Sequence, residues 1–434
     1  MTGQREKLLG AALDFLGAPR FVTALTTAIV GVAVLAFPIR QLSGWAGLIG
    51  ALSVLVLLAA ASLIARWGTL EWRGLLPLSL LVFLGWTAIT LVWSQYQWVS
   101  LAALIYLLAF TVLAFYVALL RDTIQIVRAF GDVLRLVLGI SIGIEILSGV
   151  LIDAPIRFLS VQGNLADLGP IQGILGNRND LGIVAVIALI TFGAELATKS
   201  VPRGLAIGSL IGAALCVLLT RSPITIGVVI VVAIATGLLY ALRRAPAENR
   251  RYWQFALLGV LAIGLVLAWV FRSAIITVLG ATEELTYRLD VWYRAFELIS
   301  LHPLEGWGWI GAWRIDLPPF NLFADISPRF ETTASGALVD LWLQLGLVGL
   351  VIFLALAGLA VTRSWLLASA RRSVVYVWPA LVLIALLVNA LAESSILVEF
   401  GWLAFVVCIV KAANQLSWRQ AFARLDNSEP NRDG

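Results

Sequence analysis

Arginine on the far side of a membrane is unusual enough to ask for chemistry. Arg157, Arg178, Arg221, Arg272, Arg288, Arg294, Arg314 and Arg329 all fall in segments that the hydropathy pattern places outside, where the positive-inside rule disfavours them. Some can pair with nearby acids such as Asp290, Glu297, Glu305 and Asp316. Gathered together, guanidinium groups would instead fork onto the oxygens of a phosphate. The densest stretch is "TYRLDVWYRAFELISLHPLEGWGWIGAW", residues 286–313, with two arginines, four tryptophans and the only histidine of the chain.

The scaffold that must position these residues is apolar. Of 434 residues, 61% are hydrophobic and 13% charged, and the mean hydropathy is +0.97, values that exclude an ordinary soluble domain. Apolar runs of about 20 residues recur along the chain, and in lipid such runs must be helices because the backbone has to satisfy its own hydrogen bonds. The expected fold is therefore all-α: one polytopic integral membrane domain over 1–434, with about twelve transmembrane helices. They fall at 21–38, 45–65, 75–93, 100–120, 130–151, 180–197, 204–220, 223–241, 253–271, 339–362, 376–391 and 396–412. Residues 204–241, as one helix, would be roughly 57 Å long against a hydrocarbon core of about 30 Å. The dipeptide Ser222-Pro223 is the expected break, since proline suits the first position of a helix and disfavours helix before it.

Orientation follows from the basic residues. With both termini in the cytoplasm, 20 lysines and arginines lie inside and nine outside, with Arg135 near a cytoplasmic helix end. The net charge of +5 then belongs to topology and makes no case for nucleic acid. The long outer connections are 152–179 and 272–338, the second carrying amphipathic helices, and 413–434 is a cytoplasmic tail. Cys216 and Cys408 lie in expected helices and read as packing residues. Tyr287 to Leu301 should form an amphipathic helix on the membrane surface with Arg288, Trp292 and Ala295 or Phe296 on one face. Pro303 should end that helix and His302 cap its last carbonyls, while "GWGW", 306–309, should turn its aromatic side chains to lipid or substrate. Phosphate-loop, GxSxG and HExxH signatures are absent, and one histidine makes no zinc site.

Four segments together resemble the O-antigen ligase and polymerase superfamily of bacterial envelope glycosyltransferases. They are "GILGNRNDLGI" (173–183), "LLTRSPIT" (218–225), "YRLDVWYRAFELISLHPLEGWGW" (287–309) and "DLWLQLGLVGLVIF" (340–353). The resemblance implies a multi-pass protein of the bacterial cytoplasmic membrane that takes a glycan from polyprenyl pyrophosphate and transfers it to a hydroxyl of an acceptor glycan, lipid or protein, with no cofactor or metal. It implies catalytic roles for Arg221 and Arg288, and substrate binding by Arg178, Asn179 and Asp180, with Trp292, Arg294 and Trp307 alongside. The family's histidine, expected just before "LWLQLGLVGL", is replaced by Ser335 and Gly336. Asp340, Glu331 or Asp290 would then serve as base; alternatively positioning suffices, or the chain binds lipid-linked glycan without turning it over. Plainer roles stand beside these: Asp340, Asn177, Asn179 and Asp180 as helix-start residues, Glu393 as a solvated turn residue, and Glu399 as an acid needing an external arginine. A transporter, the remaining alternative, would depend on Glu145 in the fifth span.

Overall fold

The computed structural model describes residues 10–69, 77–244, 282–323 and 332–415, apart from 12 and 167, together with scattered positions between 252 and 280. Most of the expected span 253–271, the residues Arg272, Arg329 and Glu331, and most of the tail from 413 lie outside the described residues. Among those described, the chain is helical without a strand; a single isolated bridge joins Ile156 and Val161. In chain order the helices are α1 (Pro19–Val34), α2 (Ala36–Ala65), α3 (Leu78–Ile89), α4 (Gln97–Leu120), α5 (Thr123–Ile146), α6 (Arg178–Thr198), α7 (Arg203–Leu219), α8 (Pro223–Arg244), α9 (Thr282–Leu301), α10 (Ala337–Ala370), α11 (Val377–Asn389) and α12 (Glu399–Gln415).

Among the described residues, six helical segments are long and apolar enough to cross a bilayer: α2, α4, Thr123–Ile152, α6, α8 and α10. The others are shorter; the 17 residues of α7 extend only about 26 Å at 1.5 Å per residue. Helix α6 is the centre of the bundle, with 72% of its apolar window buried, whereas α2 and α8 bury only 28% of theirs. Central helices therefore exchange lipid for protein, and peripheral ones keep the lipid-facing surface their composition demands.

Ser222-Pro223 breaks the α7–α8 stretch as expected. Helix α7 ends at Leu219, Thr220 donates from Oγ1 to Val217 O at 2.7 Å, Arg221 takes a left-handed φ of +46°, and Pro223 opens α8. The helices alternate in direction, which separates two polar ends. At one, Arg66 Nε donates to Gly17 O at 2.9 Å, Lys411 Nζ to Arg121 O, and Arg243 Nη1 to Ala368 O at 3.1 Å. The other end holds Arg178, Arg221 and Arg288.

Helix α10 is broken inside the bundle at Gly346, where φ is +69°. The residues 303–308 fill the break. Trp307 N and Gly308 N donate to Leu343 O and Gln344 O at 3.0 and 2.9 Å, Leu347 N and Val348 N donate to Pro303 O and Leu304 O at 2.9 and 3.3 Å, and Trp86 Nε1 covers Leu345 O at 2.9 Å. The carbonyls of residues 343–345 and the N–H groups of Leu347 and Val348 are thereby satisfied, as a break within a membrane bundle requires. The glycines follow from the closeness of approach: a Cβ on Gly306 would stand 2.4 Å from Gly346 N, and one on Gly346 2.0 Å from Leu304 O. The "GWGW" segment accordingly faces the core and corrects the expected outward turn, with Trp309 1% exposed and Trp307 Nε1 bonded to Leu298 O at 3.1 Å.

Candidate functional site

The local sequence at the head of α6 explains the first part of the site. Asn177 is the N-cap, its Oδ1 accepting from Asn179 N at 2.9 Å, so the helix starts three residues before the expected Leu181 and the Asn179 side chain is released from capping. Its Nδ2 donates to Glu284 Oε1 at 3.1 Å and Glu393 Oε1 at 2.6 Å, while its Oδ1 accepts from Ser222 Oγ at 2.7 Å. One buried amide thus joins α6, the α7–α8 turn, the start of α9 and the α11–α12 turn.

Arg288 lies on the buried face of α9 with Val291, Ala295, Leu298 and Ile299; Ala295 rather than Phe296 completes the face, and Trp292 is half-buried beside it. Arg288 Nη2 reaches Glu284 Oε1 at 3.0 Å and Glu393 Oε1 at 2.9 Å, and its Nε reaches Ala392 O at 3.2 Å. Arg178 Nη2 pairs with Glu284 Oε2 at 2.8 Å. Burial raises the proton affinity of Glu284, but the Asn179 amide and the Arg288 and Arg178 guanidiniums outweigh it and hold the carboxyl below the usual carboxylate range. Glu393, expected to be merely solvated, instead has a side chain 12% exposed between Arg288 and Asn179. Arg221 is exposed, and beside it Ser222 anchors the turn to Asn179. Among the described residues Arg221 has no side-chain partner.

The remaining expected residues separate. Asp340, in the first turn of α10, is fully engaged: its Oδ2 accepts from Ala334 N at 3.0 Å and from Ser394 Oγ, and Oδ1 accepts from Gln344 Nε2 at 3.4 Å. It ties the 332–336 segment and the α11–α12 turn to α10, an anchoring role. Trp292 Nε1 donates to Ala334 O at 2.9 Å and its ring lies against Gly336, so this part of the segment that replaces the family's histidine is clamped. Asp290 is on the exposed face of α9, away from Arg288. Arg294 pairs with Glu297 at 3.4 Å on the rim. His302 pairs through Nδ1 with Glu305 Oε1 at 2.9 Å instead of capping a carbonyl, and that bond, with further backbone donors, keeps the exposed Glu305 below its usual range. Arg314 pairs with Asp316 at 2.8 Å.

A second polar cluster adjoins the first. Glu399 Oε1 accepts from Arg40 Nη1 at 2.6 Å and Tyr106 Oη at 2.8 Å, and the Arg40 guanidinium lies 4.8 Å from the centre of the Trp45 ring. The arginine partner expected for Glu399 is therefore Arg40. Asp180, one position beyond Asn179, lies within electrostatic range of both Glu399 and Arg40.

Three of the four motif segments, 173–183, 218–225 and 287–309, thus meet the α11–α12 turn around Asn179, while 340–353 joins only through Asp340 and Ser394. Residues 207–354 match the family model described as O-antigen ligase. That region is O-antigen ligase-like. No curated protein matches it. The matched O-antigen ligase region contributes Arg221, Glu284, Arg288 and Asp340, while Arg178, Asn179, Glu393 and the Arg40 cluster come from outside it. Glu284 and Arg40 were missed by sequence reasoning; Glu284 is four residues before Arg288, the one spacing that could have revealed it.

Proposed function

We propose that this O-antigen ligase-like chain is a membrane glycosyltransferase that moves a glycan from a polyprenyl diphosphate to an acceptor hydroxyl, as a polysaccharide polymerase or ligase at the outer face of the bacterial cytoplasmic membrane. The observation that carries the reading is the convergence of Arg178 and Arg288 on Glu284, with the Arg221 turn tied to the same site through Ser222 and Asn179. Departure of a diphosphate develops negative charge on oxygen, and preorganised guanidinium donors stabilise that charge when it forms. Exposed Arg221 and half-exposed Arg178 offer N–H groups to the diphosphate, and buried Arg288 holds the far side. The carboxylates orient the arginines meanwhile.

Helix α9 suits delivery of a lipid-borne donor. On one flank of the Arg288 face it exposes Leu289, Tyr293 and Phe296 at i, i+4, i+7 spacing, an apolar stripe suited to the membrane surface. Transport has less support, because Glu145 Oε1 holds the 172–173 turn, accepting from Gln172 N and Gly173 N at 3.0 and 2.8 Å, and only its Oε2 is without a partner among the described residues. The clamped Ser335-Gly336 segment favours one alternative, a protein that binds lipid-linked glycan without turnover. Arg288→Ala and Arg221→Ala, made separately in cells, are expected to accumulate lipid-linked glycan and lose transferred polysaccharide, with rates down by about 100- to 1000-fold. Unchanged glycan profiles in both would count against the transferase.

A further inference from the structure

We infer that Asp180 is the general base that takes the proton from the acceptor hydroxyl, an assignment that rests on the transferase reading above. A base must stand near the reacting centre, have an oxygen free to accept a proton, and be reachable by the acceptor. The carboxylates at this end differ sharply on the second condition. Glu284 accepts from Asn179, Arg178 and Arg288, Glu393 from Asn179 and Arg288, Asp340 from Ala334, Ser394 and Gln344, and Glu399 from Arg40 and Tyr106. Asp180 has no hydrogen-bond or ion-pair partner among the described residues, and its side chain is half-buried, sheltered but open to a ligand.

Its place bears on the first condition: Asp180 sits in the helix turn that begins with Arg178 and Asn179, which hold the arginine site, and it is coupled electrostatically to Arg40 of α2 and Glu399 of α12 in the adjoining cluster, where Tyr106 of α4 binds Glu399. The Phe37 ring packs against Gly176 so closely that a Cβ there would lie 2.3 Å from it, which fixes the turn bearing Asp180 against α2. Arg40, held by Glu399 and stacked on Trp45, supplies a cationic edge for the hydroxyl-bearing acceptor.

In the step, the acceptor O–H gives its proton to Asp180 as its oxygen bonds to the anomeric carbon. The bond from that carbon to the phosphate oxygen breaks, and its electron pair leaves with the polyprenyl diphosphate onto Arg178, Arg221 and Arg288. Asp180 then returns the proton to solvent. A first-turn acid that only steadied the helix dipole would not affect turnover in a pH-dependent way.

The test uses full-length protein in vesicles with a polyprenyl-diphosphate-linked glycan and a hydroxyl acceptor. Asp180→Asn is expected to lower kcat by about 100- to 10,000-fold while the KM for donor stays within about twofold. The fall in wild-type kcat on the acid side should flatten in the variant, and Asp180→Glu should recover part of the rate. Wild-type kcat in Asp180→Asn, while Arg288→Ala is inactive, overturns the base and leaves the transferase standing. Loss of donor affinity together with rate in Asp180→Asn assigns the residue to structure and also overturns it, and absence of transfer by the wild type removes both readings.

Discussion

Glu284 shows what a single residue does here. It accepts from two arginines and an amide and so fixes where both guanidiniums point. Its carboxyl lies below the ordinary range near 4.3, so its stabilising contribution is fully present above about pH 4.3 and is lost as pH falls through the lower folded value. Acid unfolding of the detergent-solubilised protein should therefore show a component in that window that Glu284→Gln removes; an identical pH dependence in the variant would deny the linkage. Arg288→Lys should not replace the arginine, because an ammonium cannot reach Glu284, Glu393 and Ala392 O from a planar fork; donor turnover should fall nearly as far as in Arg288→Ala, and near-normal turnover would contradict the bidentate role. At this scale the sequence was half legible. Arginines misplaced by the topology rule marked the site, and motif spacing selected Arg221 and Arg288. Glu393 and Arg40 were hidden because their partners lie 105 and 359 residues away, and no local pattern records such pairs.

Among the elements, α10 depends on a loop for its own backbone. Gly346→Ala should destabilise by at least about 1 kcal/mol, since it combines a left-handed φ with a collision against Leu304 O; a thermal melt in detergent measures it, and an unchanged midpoint would mean that the loop gives way freely. Helix α5 meets α6 through another commitment. Arg135 pairs with fully buried Glu195, takes Asp132 at 3.0 Å and Ser209 at 2.9 Å, and lies 4.9 Å from the Phe192 ring centre. Gly131 leaves the space, since a Cβ there would stand 2.4 Å from Glu195 Oε1. Glu195→Ala leaves Arg135 with only the exposed Asp132 and Ser209 and opens a gap beside Gly131, and should cost about 1–3 kcal/mol, readable as a lowered melting midpoint. The sequence showed the elements well where physics is local: the apolar runs gave the helices, and Ser222-Pro223 gave the hairpin. The break at Gly346 was invisible in "LQLGLVGL", because glycine is common in membrane helices and only the docking of residues 303–308 makes this one indispensable.

For the molecule as a whole, alternating helix directions bring Arg178, Arg221 and Arg288 to one end and leave Arg66, Arg243 and Lys411 at the other. The all-helical membrane architecture could be read from composition, and the arginine end from charge placement. What could not be read was how the arginines are held before substrate arrives, since that depends on glutamates from separate turns. The most direct measurement is release of polyprenyl diphosphate from a glycan-loaded donor by the purified protein in vesicles, wild type beside Arg288→Ala. Release by the wild type with transfer to the acceptor, and at least about 100-fold less by the variant, is the predicted result. Equal release by both, or none by the wild type, would contradict it.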